Sequence, residues 1–260
     1  MTGPLTVQEP SGSARPGQEK RRPSLWWVLG AIAVPFVRGS SRLRVHDAHK
    51  LPATGAFVLT PNHLSNIDPL VVAVAVWRLG RAPRFLAKAS LFRVPVIGAL
   101  LRSVGQIPVE RGGMHRAAIP LDAARRLVEH GQCVIVYPEG SLTRDPQLWP
   151  MRGKTGAARL AIELGIPLIP VAQWGSQRLM PVNTTRLTLH LRRPRIDVRF
   201  GDPVDLSEWA GRATDAQALH AATTRVMAAI TELLAQVRDE PAPRERWDPR
   251  GHGQTETGVF

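Results

Sequence analysis

The sequence predicts an α/β fold, a central mostly parallel or mixed sheet flanked by helices, and three observations carry that prediction. Short apolar runs at 56–59, 133–137 and 167–172 alternate with longer stretches of helical period. Gly131 and Gly165 stand where helices should end. Three strands run straight into polar loops, at 62–68, 110–113 and 138–145. In a layered α/β fold, ligands gather where strands end and loops begin.

A chain of 260 residues with 43% hydrophobic content is long enough to bury the core of one large domain with tails. Residues 1–22 are rich in Gly, Pro, Ser and charge and lack hydrophobic periodicity, so they are expected to be a disordered tail. Residues 23–38 follow as a helix, 39–238 as the folded domain, and 239–260 as a second disordered tail. The segment from Leu25 to Val37 carries no charge and is flanked by Arg21, Arg22, Arg38 and Arg42. As a helix its thirteen residues span about 20 Å, short of a hydrocarbon core of ~30 Å, so it should not cross a bilayer alone. Paired Trp26 and Trp27 with arginines at both ends suit a helix lying in the headgroup region. The alternative is an ordinary buried helix. A twin-arginine export signal at Arg21-Arg22 is rejected, because cleavage after Ala33 would cut the apolar run short and the arginines beyond it oppose translocation.

Within the domain, the strand at 56–59 leads through a loop into a helix from Leu70. Short strands are expected at 84–87 and 106–109, with a helical turn at 96–102 between them. A helix from Met114 to Glu129 precedes the strand at 133–137, and a helix at 153–164 precedes the strand at 167–172. Further strands fit 187–191 and 196–200. The last helix shows Thr214 and Gln217 spaced as a capping box, with Leu219, Val226, Ile230, Leu233 and Val237 on one face. That stripe is core.

The loop Thr60 to Pro69 is the centre of the functional reading. It lifts His63 off a strand end and sets Asp68 five residues on, where the loop can fold the two together as a base and the group that orients it. Other chemistries recede. The lone Cys133 lies in an apolar run, which excludes a disulfide framework and suits a buried thiol in a reducing compartment. His46 and His49 have no third ligand nearby, so no metal site is expected. A net charge of +13 asks for an anionic partner. Trp26, Trp27 and Phe36 are gathered in one apolar segment, not interleaved with basic residues as base-stacking platforms would be, which argues against nucleic acid.

Four stretches together resemble the glycerolipid acyltransferases, the family that includes 1-acylglycerol-3-phosphate acyltransferases. Asn62-His63-Leu64-Ser65-Asn66-Ile67-Asp68 is similar to its His-four-residues-Asp motif, and Ile107-Pro108-Val109-Glu110-Arg111-Gly112-Gly113 to its second. Tyr137-Pro138-Glu139-Gly140-Ser141 resembles the third, and Ile166-Pro167-Leu168-Ile169-Pro170-Val171 the fourth, all in order over roughly residues 40–200. One departure stands out. The family carries arginine two residues after the glycine of Pro-Glu-Gly, whereas Leu142 occupies that place here and the arginine comes at 144. A two-residue insertion would let Arg144 serve instead.

The resemblance implies transfer of a fatty acyl group from acyl-CoA or acyl carrier protein to the free hydroxyl of 1-acylglycerol 3-phosphate, giving phosphatidic acid, with no further cofactor. His63 would act as general base and Asp68 would fix its tautomer, without an acyl-enzyme. Arg111 and Arg144 are expected at the acceptor phosphate, with Glu139 holding a glycerol hydroxyl or one of the arginines. Gly140 would let the backbone turn sharply or lie close to substrate. Expected partners are anionic membrane lipids, a lysophospholipid acceptor and the acyl donor, with the protein peripheral on the cytoplasmic face of the cell membrane. Three alternatives remain: another acceptor such as glycerol 3-phosphate, a thioesterase or lipid hydrolase using the same pair, and a noncatalytic basic protein.

Overall fold

In the computed structural model, residues 24–109, 125–126, 128–182, 184–188 and 190–255 are described. Among them, helices and strands alternate in chain order: α1 (Leu25–Ser40), β1 (Arg42–His46), β2 (Phe57–Pro61), α2 (Asp68–Arg78), β3 (Leu86–Lys88), α3 (Pro95–Ser103), β4 (Ile107–Val109), β5 (Cys133–Ile135), α4 (Gly156–Leu164), β6 (Leu168–Trp174), β7 (Arg195–Phe200) and α5 (Ala216–Arg238). The main sheet has the order β1-β7-β6-β2-β5. All its neighbours are parallel except β6 and β7. β3 and β4 pair in parallel beside it, and a Phe85–Ile135 bridge joins them to β5. The α/β class with a mostly parallel sheet is as expected.

A parallel strand covered on both faces must be apolar on both. β2 obeys this, with all five residues buried. Phe57 and Leu59 pack on Val71, Val72 and Ala75 of α2, while Val58 turns to the opposite face with Leu160 of α4 and Val226 and Ile230 of α5. The central strands are thus held between two helical layers, and their C-terminal ends are left to the loops.

α1 packs against α2 through one contact made possible by a missing side chain. A Cβ on Gly30 would lie 2.4 Å from Trp77 Nε1, so only glycine admits the indole there. Trp26 and Trp27 flank the same ring, with centroids 6.4 and 6.0 Å away. The two helices enclose an apolar cavity of about 310 Å³. α1 nonetheless leaves apolar surface outward, with Trp27, Val28, Ile32 and Phe36 exposed. No helix among the described residues is long and apolar enough to cross a membrane.

Several elements differ from expectation. β1 was not anticipated, and the strand expected at 187–191 does not form at the described positions 187, 188, 190 and 191. Both neighbours of β7 are occupied, by β1 and β6, so the segment before it finds no free edge there, and Leu187 and Leu191 are exposed. The α5 cap is Asp215, not Thr214: its carboxylate accepts from the Gln217 and Ala218 amides. α4 begins at Gly156, not at 153, because Lys154 N–H donates to Pro138 O at 2.7 Å and holds the preceding residues to the loop. Residues 239–255, expected as tail, return along the domain. The Arg152 amide donates to Trp247 O at 2.9 Å, Trp247 stacks on His252, and Asp248 caps a short turn at Pro249–His252. The expected helix from Met114 lies outside the described residues until 125.

Candidate active site

β2 delivers the site. Beyond its last ladder position, Asn62 continues the pairing with its side chain: Nδ2 donates to Gln173 O at 3.1 Å and Oδ1 accepts from Gln173 N at 2.8 Å. The amide thus clamps the end of β2 to β6. The next residue, His63, leaves the sheet with its backbone held on both sides. Its N–H donates to Glu139 Oε1 at 2.9 Å, and its carbonyl accepts from Thr143 N at 2.8 Å.

The chain then folds back so that Asp68, at the start of α2, meets the imidazole. His63 Nδ1 lies 3.1 Å from Asp68 Oδ2, which also accepts from the Leu64 and Ser65 amides at 2.5 and 2.7 Å. Asp68 Oδ1 accepts from Ser176 Oγ at 2.5 Å. Asp68 is fully buried, so every bond to it acts in a low-dielectric setting. The His63 side chain keeps 14% exposure. With Nδ1 engaged, Nε2 makes no hydrogen bond among the described residues and is the nitrogen left for a proton transfer.

Two other groups frame the histidine. Tyr137 lies over its ring with centroids 4.2 Å apart, and Phe85 stacks beyond Tyr137 at 6.3 Å. Burial, and then the charge of Asp68, pushes the Tyr137 phenol well above its ordinary value, so it stays neutral. Glu139 is 1% exposed, and besides the His63 amide its carboxylate accepts from Met151 N at 3.0 Å. Burial pushes this carboxyl up to about 8, outweighing the amide hydrogen bonds that pull it down, with Asp68 adding to the rise. Glu139, expected to hold a substrate hydroxyl or an arginine, braces the His63 loop to the Met151 segment.

Gly140 makes the sharp turn anticipated for it, at φ +73°, and the Lys154 side chain passes where a Cβ would sit. Arg144 is drawn inward at 6% exposure, immediately after Thr143, whose amide meets the His63 carbonyl. Arg111 lies outside the described residues. Beside Glu139 opens a cleft of about 230 Å³ lined by Arg152, Lys154, Thr155 and His220, a basic surface. Among the described residues, no group of His, Cys, Asp and Glu side chains could hold a metal ion.

The structure therefore brings together His63, Asp68, Glu139 and the Arg144 loop, as the motifs imply, and adds residues that spacing could not reveal. Ser176 follows β6 in a short turn, Ser176–Arg178, far in sequence from His63. Only the convergence of β2 and β6 makes them neighbours. Tyr137 was visible within the third motif, but its place on the imidazole face was not.

Comparison with known proteins places the chain in a family. A family model described as Acyltransferase matches residues 42–174. The chain is 29% identical over 133 residues to a chloroplastic 1-acyl-sn-glycerol-3-phosphate acyltransferase of Brassica napus, a match covering 51% of this chain and 37% of that protein. It is 26% identical over 194 residues to the 1-acyl-sn-glycerol-3-phosphate acyltransferase of Bacillus subtilis, covering 75% and 85%. The matches span only 37% and 40% of the plant relatives from Brassica napus and Arabidopsis thaliana. The crystal structure of the 1-acyl-sn-glycerophosphate acyltransferase of Thermotoga maritima shares the fold, with a TM-score of 0.60, 20% identity and coverage of 87% and 85%.

Proposed function

Since the chain belongs to the acyltransferase family, we propose that it transfers a fatty acyl group from an acyl thioester to the free hydroxyl of 1-acylglycerol 3-phosphate, forming phosphatidic acid. The observation that carries this reading is the His63 Nδ1 contact to buried Asp68 Oδ2, at the end of a central parallel strand. The relatives from Brassica napus and Bacillus subtilis are 1-acyl-sn-glycerol-3-phosphate acyltransferases, which favours a lysophosphatidate acceptor.

A glycerol hydroxyl is a poor nucleophile until its proton is taken. His63 Nε2 accepts that proton as the oxygen attacks the thioester carbonyl, and Asp68 stabilises the resulting imidazolium through Nδ1–H. Collapse of the tetrahedral species expels the thiolate, to which the imidazolium returns the proton. No covalent enzyme intermediate is required. Arg111 and Arg144 are assigned to the acceptor phosphate, and the basic cleft at Arg152 and Lys154 adds positive potential nearby. The exposed apolar side of α1, bordered by Arg38 and Arg42, supports peripheral attachment to an anionic membrane surface, assigned to its cytoplasmic face.

The test is thiol release from acyl-CoA, first without acceptor and then with lysophosphatidate, glycerol 3-phosphate or lysophosphatidylcholine, for the native chain and for His63→Ala. Release that requires lysophosphatidate and His63 is the expected result. Release without acceptor means hydrolysis, and undiminished release by His63→Ala removes the general base assignment.

A further inference from the structure

We infer that Ser176 is a positioning residue for the acyl transfer, acting through Asp68 as the third member of a His63–Asp68–Ser176 chain; the inference rests on the general base role of His63 proposed above. Ser176 is fully buried, as is Asp68, and its hydroxyl donates to Asp68 Oδ1 at 2.5 Å. The other three donors to this carboxylate, His63 Nδ1 and the Leu64 and Ser65 amides, all fall on Oδ2. Ser176 therefore holds the side of the carboxylate opposite the histidine and sets its rotation.

The local chain is built to deliver this hydroxyl. Gly175 sits at φ +106°, and a Cβ there would lie 2.2 Å from Arg195 O, so the backbone turns tightly against β7 before presenting Ser176. The same turn is tied to the histidine loop a second time, because Ser65 Oγ donates to Met180 O at 2.6 Å. Loss of one hydroxyl therefore leaves the loops joined while depriving Asp68 Oδ1 of its donor.

The consequence has a definite sign. A buried carboxylate stripped of a donor carries its charge less dispersed. It either holds the proton on His63 more firmly or takes up a proton itself as the pH falls. Both remove the neutral, oriented imidazole at a higher pH than before, so the acid limb of the rate profile moves upward. The other titratable groups packed on the pair, Tyr137 and Glu139, are both pushed up by burial and are uncharged across that limb. The charged groups nearest on the adjoining loop and turn are Arg144 and Arg178.

The experiment is the pH dependence of turnover with acyl-CoA and lysophosphatidate for the native chain, Ser176→Ala, Ser176→Cys, Ser176→Thr and His63→Ala, with folding checked by circular dichroism. Ser176→Ala is expected to lower kcat about 10-fold or more, with KM within about twofold, and to move the acid limb up by about half a pH unit or more. Ser176→Cys, nearly isosteric and a weaker donor, should shift it the same way by less, and Ser176→Thr, which keeps the hydroxyl, should restore the native limb. An unmoved limb in both the Ala and Cys variants overturns the inference, even if the rate falls. A native rate in His63→Ala overturns the base assignment instead, so the two failures are distinct.

Discussion

Tyr137 lies over the imidazole of His63 with ring centroids 4.2 Å apart and planes inclined by 30°. The stack restrains the face of the ring while Asp68 restrains its edge, so the imidazole is held in two directions. The Tyr137 hydroxyl, buried without a hydrogen-bond partner among the described residues, adds nothing visible to this hold. Tyr137→Phe should therefore keep turnover within about twofold and raise stability by up to ~1 kcal/mol, while Tyr137→Ala lowers turnover about 10-fold. Steady-state rates and urea unfolding of both variants check this; equal losses in the two would show that the hydroxyl, not the ring, matters.

Glu139 makes stability depend on pH in an unusual direction. Its folded carboxyl titrates at about 8 against an ordinary 4.5, because burial disfavours the anion. Between those values the folded state holds more protons than the unfolded one, so this contribution is full below about 4.5 and is lost as the pH rises through about 8. Its size is on the order of a few kcal/mol. Urea midpoints of the native chain should fall from pH 5 to pH 9 more steeply than those of Glu139→Gln, which cannot titrate there. Parallel curves would contradict the assignment.

Gly175→Ala should be costly for two separate reasons. The new Cβ would meet Arg195 O at 2.2 Å, and φ of +106° is a conformation that alanine rarely adopts. A loss of more than ~2 kcal/mol is expected. Any folded fraction should also turn over more slowly than the native chain, since Ser176 moves with the turn. Full activity per folded molecule would show that the turn can shift without disturbing Asp68.

The exposed side of α1 is expected to bind anionic lipid. Ile32 is 67% exposed, and Ile32→Glu puts a charge on the side of α1 where Val28 and Phe36 are also exposed. Sedimentation with vesicles containing phosphatidylglycerol should show native binding that weakens with salt, and binding by the variant reduced about 10-fold or more. Equal binding by the two would move the lipid contact elsewhere on the molecule.

Much of this arrangement was legible in the chain. The apolar runs at 56–59, 133–137 and 167–172 became β2, β5 and β6, because buried parallel strands must be apolar on both faces. The run at 187–191 has the same local character and forms no strand at its described positions, since strand formation needs an unpaired neighbour and both sides of β7 are taken. Residues 239–255 look like a tail by composition. They are nonetheless held to the domain by the Arg152 to Trp247 backbone contact, and Trp247 stacks on His252 within the segment. Periodicity reports which side chains want burial, and it is silent on which edge remains open.

By itself, the sequence determined the layered α/β class, the loop that carries His63 and Asp68, and the positions where strand ends meet polar residues. These are local properties, set by periodicity, turn residues and a five-residue span short enough for one loop to close. Only the tertiary structure decided what surrounds the pair. It turned Glu139 into a brace under the His63 backbone, laid Tyr137 on the imidazole, and brought Ser176 from more than a hundred residues away to the back of Asp68. Those contacts depend on β2 lying between β5 and β6, a pairing that no local pattern in the three strands specifies.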